Sequence, residues 1–393
     1  MMEKVGKYIT NYIKGKTPKV LLSTEEADSL PYLSPDYLRG VDVPEFYAKQ
    51  DSKSIVIDDG EVIVLWDGSN AGEILISKKG VLASTMTMLQ IDETQINKAY
   101  FGYSFQNLEY ILKAKTAGSG IPHADKGVVS KLEFYKPSLP EQSAIAAILS
   151  KVDEAIAAVQ GSIAAAERLK KSLMQNLLTG RMKPDGTLRT EEEFYLDEKF
   201  GKVPVGWEVK RIDEIAERKT EVIDPTKTKE VYDYIGLEHI VPDEFARCGK
   251  GLSNETIALK VKFEKGDLLY GKLRPYLNKV FISDISGVGS TEFIVLKQNE
   301  FTNWIYLNFQ LKRFLDYTKS MTAGTQHPRA SWKDIKHYLV GIPKDTQERE
   351  QITKRLLSLE QHKTTNNNKI AVLERLKKSL MQNLLTGRVR VKE

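Results

Sequence analysis

Between residues 145 and 166, the apolar positions Ile145, Leu149, Val152, Ile156, Val159, Ile163 and Ala166 fall at alternating steps of four and three. That heptad spacing predicts a helix whose apolar seam runs along another helix. The preceding "SLPEQ" supplies Ser138 as a cap, Pro140 in the first turn and Glu141 near the positive end of the helix dipole. Gly180 stops the helix, with Arg181 close to its carbonyl end. A second seam follows "PKDTQERE": Ile352, Leu356, Leu359, Ile370, Leu373, Leu376, Leu380 and Leu384. It is interrupted by "QHKTTNNNK" (Gln361–Lys369), which puts Lys363 and Asn366 at seam positions. Polar seam residues there either set register, as buried polar groups do in coiled coils, or belong to a solvated, frayed stretch. Each helix is about 40 residues, or about 60 Å at about 1.5 Å per residue.

The segments ahead of the helices read differently. "SIVIDDGEVIVLW", "GEILIS", "GDLLYGKL" and "EFIVLK" are strand-like runs, with helical stretches such as "NWIYLNFQLKRFLDYTK" between them. "MKPDGTLRTEEEFYLDEKFGKVPVGW" (Met182–Trp207) is polar, punctuated by Pro and Gly, and reads as a linker.

The two helices end in the same fifteen residues. "ERLKKSLMQNLLTGR" occurs at Glu167–Arg181 and again at Glu374–Arg388, 207 positions on. At that offset "GVLASTMTML" (Gly80–Leu89) aligns with "GVGSTEFIVL" (Gly287–Leu296), and Pro122 and Glu141 have near counterparts in Pro328 and Glu348. Solenoid repeats run about 20–50 residues, so this longer period indicates duplication of a two-part unit. The expected fold is α+β: two globular domains alternate with two long helices that pair as an antiparallel coiled coil with pseudo-twofold symmetry. The expected boundaries are a first domain 1–138, a central helix 139–182, a linker 183–203, a second domain 204–344 and a final helix 345–393.

Composition narrows the partners. No apolar run approaches the roughly 20 residues of a membrane span, and the N-terminal residues lack the apolar core of a secretory signal. Cys248 is the only cysteine, so no intrachain disulfide can form and a cytoplasmic location is expected. A net charge of +5 permits nucleic-acid binding without demanding it.

Catalytic signatures are weak. "KGKTPK" (Lys14–Lys19) lacks the leading glycine of a phosphate loop, since Thr10 stands there. Asp185 and Asp197 with Lys199 formally fit a carboxylate–lysine nuclease, but matches come easily in so acidic a linker. The five histidines show no ligand spacing, one cysteine cannot build a thiolate metal site, and Cys248 reads as an inert thiol. The chain is expected to bind rather than catalyse.

At this point the residues resemble a family. Two variable segments, each followed by a long helix with a "PEQ"-type opening and the "SLMQNLLTGR" ending, look like the specificity subunit of type I restriction–modification systems. "GRMKPDGTLRTEEEF…KVPVGWEVKRIDEIAERK" and "GTQHPRASWKDIKHYLVGIPKDTQERE" look like the passages into and out of such a subunit's second target-recognition domain. The likeness covers nearly the whole chain. It departs ahead of the first domain, where the "P.GWE" motif of Pro204–Glu208 has no counterpart, so a different or shortened edge is expected there.

The resemblance implies that each globular domain reads one half of a bipartite site in double-stranded DNA and that the helix pair fixes the gap. Two modification (methyltransferase) subunits would dock at the helices and restriction subunits would join them. S-adenosylmethionine, ATP and Mg would be carried by those partners and none by this chain. The alternative is a coiled-coil scaffold with protein-binding lobes.

Base reading uses Arg, Lys, Asn and Gln at base edges, while other cations hold phosphates. The candidates in the first domain are Trp66, Ser69, Asn70, Lys78 and Lys79 of "LWDGSNAGEILISKKG", with His123 and Lys126. Those in the second are Tyr270, Lys272, Arg274, Tyr276 and Lys279 of "YGKLRPYLNK", with Gln326, His327, Arg329 and Lys333. Lys272 and Arg274 are the leading pair. In the repeated helix ends, Leu169, Leu173 and Leu177, with their twins Leu376, Leu380 and Leu384, are expected to pack against the other helix or a partner.

Overall fold

A computed structural model of the chain describes all residues except 41, 42, 50, 52, 117–121, 243–246, 323–327, 392 and 393. It divides into two compact units: Met1–Ala158 with Ile370–Glu393, and Val159–Lys369.

The first unit is layered. An antiparallel four-stranded sheet is built from β2 (Ile9–Lys14), β3 (Val62–Leu65), β4 (Ile74–Ile76) and β5 (Met86–Ile91), in the order β2–β5–β3–β4. A short β1 (Met2–Lys4) pairs with β6 (Glu133–Tyr135). The continuous apolar run of β3 follows from burial on both faces, because alternate side chains point to opposite sides. Val62 and Val64 pack with Tyr100, Phe101 and Phe105 around helix α1 (Lys98–Gln106), whereas Ile63 and Leu65 meet Leu33 and Leu82 of a second, five-stranded sheet.

The second unit repeats the plan. Strands β8 (Arg218–Lys219), β9 (Leu268–Gly271), β10 (Val280–Ile282) and β11 (Phe293–Leu296) form a sheet in the equivalent order β8–β11–β9–β10. β7 (Trp207–Arg211) pairs with β12 (Leu339–Pro343) as β1 pairs with β6. β1 has three residues against five in β7. Leu268 and Tyr270 face Trp304 and Phe309 of helix α3 (Thr302–Phe309), and Leu269 faces Ile235 and Phe263 of the second sheet. Within the stretch read as linker, Phe194–Asp197 and Gly201–Pro204 form a hairpin.

The two long helices are α2 (Leu139–Leu177) and α4 (Thr346–Leu384), 39 residues each. In each unit a segment of one runs antiparallel to a segment of the other. The first unit joins Asp153 to Lys377 at 2.6 Å and Glu141 to Arg390 at 2.6 Å. The second joins Glu167 to Lys363 at 2.7 Å and buried Glu360 to Lys170. α4 runs without a break through Gln361–Lys369, and its polar seam residue Lys363 is half-buried.

The six leucines of the repeated helix ends divide into two kinds. Leu177 and Leu384 are buried and Leu173 and Leu380 partly so, but Leu169 and Leu376 are 50% and 45% exposed. The four–three alternation explains this. Continued from Ala166 it passes through 170, 173 and 177, so Lys170 takes the seam position and Leu169 lies beside it. Lys377 displaces Leu376 in the same way.

Both helix ends are closed alike. Gly180 and Gly387 adopt φ of +71° and +72°, a left-handed cap that glycine reaches without a Cβ penalty. A Cβ on Gly180 would also lie 2.2 Å from Pro204 Cγ. Beyond the cap an arginine reaches the acid that starts the facing helix. Arg390 donates Nε and Nη2 to Glu141 at 2.7 and 2.6 Å. Arg189 donates to Glu348 at 2.6 Å and also caps the Gly180 carbonyl at 2.7 Å.

Candidate nucleic-acid interface

In each unit the hairpin after the central strand meets the loop that follows the small helices. In the first unit, Trp66 N–H donates to the Thr85 carbonyl (2.7 Å), Ala124 N–H to the Trp66 carbonyl (2.8 Å) and Gly68 N–H to the Pro122 carbonyl (3.2 Å). In the second, Lys272 N–H donates to the Glu292 carbonyl (2.8 Å), Ala330 N–H to the Lys272 carbonyl (3.0 Å) and Arg274 N–H to the Pro328 carbonyl (2.8 Å). Trp66 therefore corresponds to Lys272, Asp67 to Leu273 and Gly68 to Arg274. The isolated bridges Asp67↔His123 and Leu273↔Arg329 repeat the match, which makes His123 and Arg329 counterparts.

The first crossing gathers Trp66, His123 and Lys126. Trp66 lies edge-on to Tyr12, with ring centroids 6.0 Å apart, and Lys126 Nζ sits 5.0 Å above the same tyrosine ring. Asp67 accepts from Lys14 Nζ at 2.9 Å and faces His123 Nδ1 at 2.6 Å. Partial burial disfavours its charge, but Lys14 and His123 outweigh that and hold the carboxyl below its usual range. Ser69 and Asn70 are exposed at the hairpin tip. Lys78 and Lys79 are not part of this group. They follow β4 at its opposite end, where Lys78 covers the Tyr37 ring at 4.1 Å and Lys79 N–H donates to Asp59. Gly15 of "KGKTPK" allows a close crossing rather than a phosphate loop, since a Cβ there would lie 2.1 Å from the Ala83 carbonyl oxygen.

The second crossing gathers Lys272, Arg274, Tyr276 and Arg329. Arg274 is exposed at φ +52°, a conformation rare outside glycine that tends to mark functional turns. Tyr276 follows in the same turn, 47% exposed. Half-buried Lys272 has its ammonium pKa lowered by burial. Glu292 opposes that shift, and Arg218 and Arg329 add to it. Arg329 Nε donates to Glu292 at 3.1 Å. Lys279 is tied to the Leu237 carbonyl at 2.6 Å, and Lys333 is exposed on the turn Trp332–Ile335.

Tyr270 must be removed from the candidates. It is fully buried among Phe309 and Phe314, at 5.4 and 5.5 Å, and burial pushes its phenol pKa up. On a strand with both faces covered, no side chain of β9 reaches solvent. Gln326 and His327 lie outside the described residues. Sequence reasoning missed Tyr12, Lys14, Asp67, Arg218 and Glu292. Strand pairing brings Tyr12, Lys14, Arg218 and Glu292 to the crossings, and no local pattern marks them. Asp67 stood inside the quoted "LWDGSN", where a search for donors passes over an acid.

Asp185 accepts from Thr187 N–H and Oγ1 at 2.8 and 2.7 Å, and Asp197 from the Lys199 and Phe200 amides at 2.9 and 2.7 Å. Both linker carboxylates thus close turns. Among the described residues no group of three or more His, Cys, Asp or Glu could hold a metal ion, and no helix is long and apolar enough to cross a membrane.

A family model described as the type I restriction modification DNA specificity domain matches twice, at residues 7–168 and 204–375. The specificity subunit of the type I restriction enzyme MjaVIII from Methanocaldococcus jannaschii is 27% identical over 405 residues, covering 99% of this chain and 92% of that protein. The EcoDI specificity subunit of Escherichia coli is 25% identical, covering 69% of this chain and 65% of its own length. Among solved structures, a type I restriction–modification S subunit from M. genitalium superposes with a TM-score of 0.63 at 16% identity, covering 98% of this chain and 96% of that one. That likeness is one of fold.

Proposed function

The chain belongs to the type I restriction modification DNA specificity family, and from that premise we propose that it reads a bipartite double-stranded DNA site, one half with each loop crossing. The observation that carries this is the recurrence of one crossing in both units with different side chains. Trp66, His123 and Lys126 stand in the first, and Lys272, Arg274 and Arg329 in the second. A duplicated frame with divergent tips is what two unlike half-sites require, because base edges are told apart by the donors and acceptors that face them.

The paired helices set the separation of the half-sites, and the repeated helix ends receive two modification subunits. In support, Leu169 and Leu376 hold the same repeat position and are both exposed beside the seam. Methylation and cleavage are carried out by the modification and restriction subunits with their own S-adenosylmethionine, ATP and Mg, and this chain supplies recognition alone.

The test is selection from a pool of randomised duplexes by the full chain, with and without a modification subunit, followed by methylome sequencing of cells expressing both. Recovery of two short conserved blocks at a fixed gap supports the reading. Binding indifferent to sequence under both conditions rejects it and favours the scaffold.

A further inference from the structure

Each loop crossing keeps a carboxylate among its cations. Asp67 contacts His123 and Lys14 in the first unit, and Glu292 contacts Arg329 in the second. On a surface meant for a polyanion an acid weakens association, because binding gains from phosphates neutralised by cations. Exposed ion pairs contribute little to stability, so folding alone does not account for these acids. Duplication does not account for them either. His123 and Arg329 are counterparts, but their acids are not: Asp67 corresponds to Leu273, and Glu292 to Thr85. Two different chain positions supply an acid to the same cation.

The contacts are also selective in which atom they take. Glu292 meets Arg329 through Nε, leaving both terminal nitrogens of the guanidinium without a partner among the described residues. Those two donors match O6 and N7 of guanine. Asp67 meets His123 through Nδ1. A carboxylate only accepts, so the Nδ1 proton faces Asp67 and the Nε2 edge of the 61%-exposed ring is left to solvent.

We propose that Asp67 and Glu292 are positioning residues that aim His123 and Arg329 at base edges, raising discrimination between sequences while lowering affinity for DNA in general. The inference rests on the DNA-reading function proposed above.

The test uses the full chain, fluorescence anisotropy, and two duplexes: the one preferred in the random-pool selection and a scrambled one. For Glu292→Gln and Asp67→Asn, Kd for the scrambled duplex should stay equal or tighten. The ratio of the two Kd values should fall about tenfold, the size of one lost base contact. Sequencing of the retained pool should show relaxed positions in one half-site for one variant and in the other half-site for the second. Glu292→Asp and Asp67→Glu keep the charge and should hold the ratio within about threefold of wild type, which a merely structural defect would not do. Equal weakening on both duplexes, an unchanged ratio, or relaxation of the same half-site by both variants overturns the inference. A wild-type chain that binds both duplexes alike, with and without a modification subunit, instead overturns the DNA-reading function itself.

Discussion

Replacing Glu141 with Gln tests whether the arginine beyond each helix end holds a unit together. The Glu141 carboxylate is 2% exposed and accepts from Arg390 Nε and Nη2 and from the Val391 amide at 3.3 Å. Stranding one member of a fully buried pair costs about 3–5 kcal/mol, while exposed pairs are worth about 0–1 kcal/mol. Arg390 is 65% exposed, so solvent screens one side and the expected loss is about 2 kcal/mol. At about 2–4 °C per kcal/mol for a unit of this size, Tm should fall about 4–8 °C by calorimetry. Adding Arg390→Gln completes a double-mutant cycle, with an expected coupling of about 1–2 kcal/mol.

The pH dependence is a second signature of the same pair. Arg390 holds the Glu141 carboxyl below its usual range, with burial opposing. A depressed folded-state pKa stabilises above the unfolded value and loses that contribution as pH falls through the folded one. The gap between wild type and Glu141→Gln should therefore be constant from pH 8 to about 5 and close below about pH 4. A coupling under about 0.3 kcal/mol, or a gap unchanged at pH 3, would refute the reasoning. Glu348→Gln should cost more, since Arg189 is only 7% exposed and Trp207 Nε1 also donates to Glu348 at 3.2 Å.

Three further outcomes are expected. Leu177→Ala and Leu384→Ala should each cost about 2–5 kcal/mol in urea unfolding, whereas Leu169→Ala and Leu376→Ala should cost under about 1 kcal/mol and instead weaken assembly with a modification subunit on size-exclusion chromatography. Glu360→Ala should cost about 3–5 kcal/mol by removing the carboxylate that neutralises the buried Lys170 ammonium, which keeps its Gln310 contact, and the double replacement Glu360→Leu with Lys170→Leu should recover most of it in the same assay. Arg274→Ala should lose about 1–3 kcal/mol on the preferred duplex and relax one base position; equal loss on every sequence with a shallower salt slope would assign Arg274 to phosphate instead.

The long helices were legible because a heptad seam is a local pattern, and Ile145, Leu149 and Val152 are buried as their spacing implies. The limits of that pattern are equally physical. Side chains of Lys and Glu can occupy a seam when they find each other, as Lys170 and Glu360 do, so Leu169 lies beside the seam and not on it. The crossings were half legible. Turn-rich stretches with cations marked the hairpin tips, but Lys78 and Lys79 lie at the far end of a strand and Tyr270 inside the core. Residue type does not report which end or face of a strand a side chain occupies. Arg218 reaches Lys272 only through the pairing of β8 with β11, information that resides in the register.

The pairing of Glu141 with Arg390 spans 249 positions, and this has a consequence for biogenesis. The first unit includes the segment from Ile370 onward, with Leu384 and Leu385 in the same apolar cluster as Val5, Ile145 and Leu149. The first unit's core is thus incomplete until Leu384 and Leu385 have been made, after the whole of the second unit. The second unit's helix clamp closes within 159 positions. The unit whose synthesis begins first therefore has its residues complete only after the unit whose synthesis begins second.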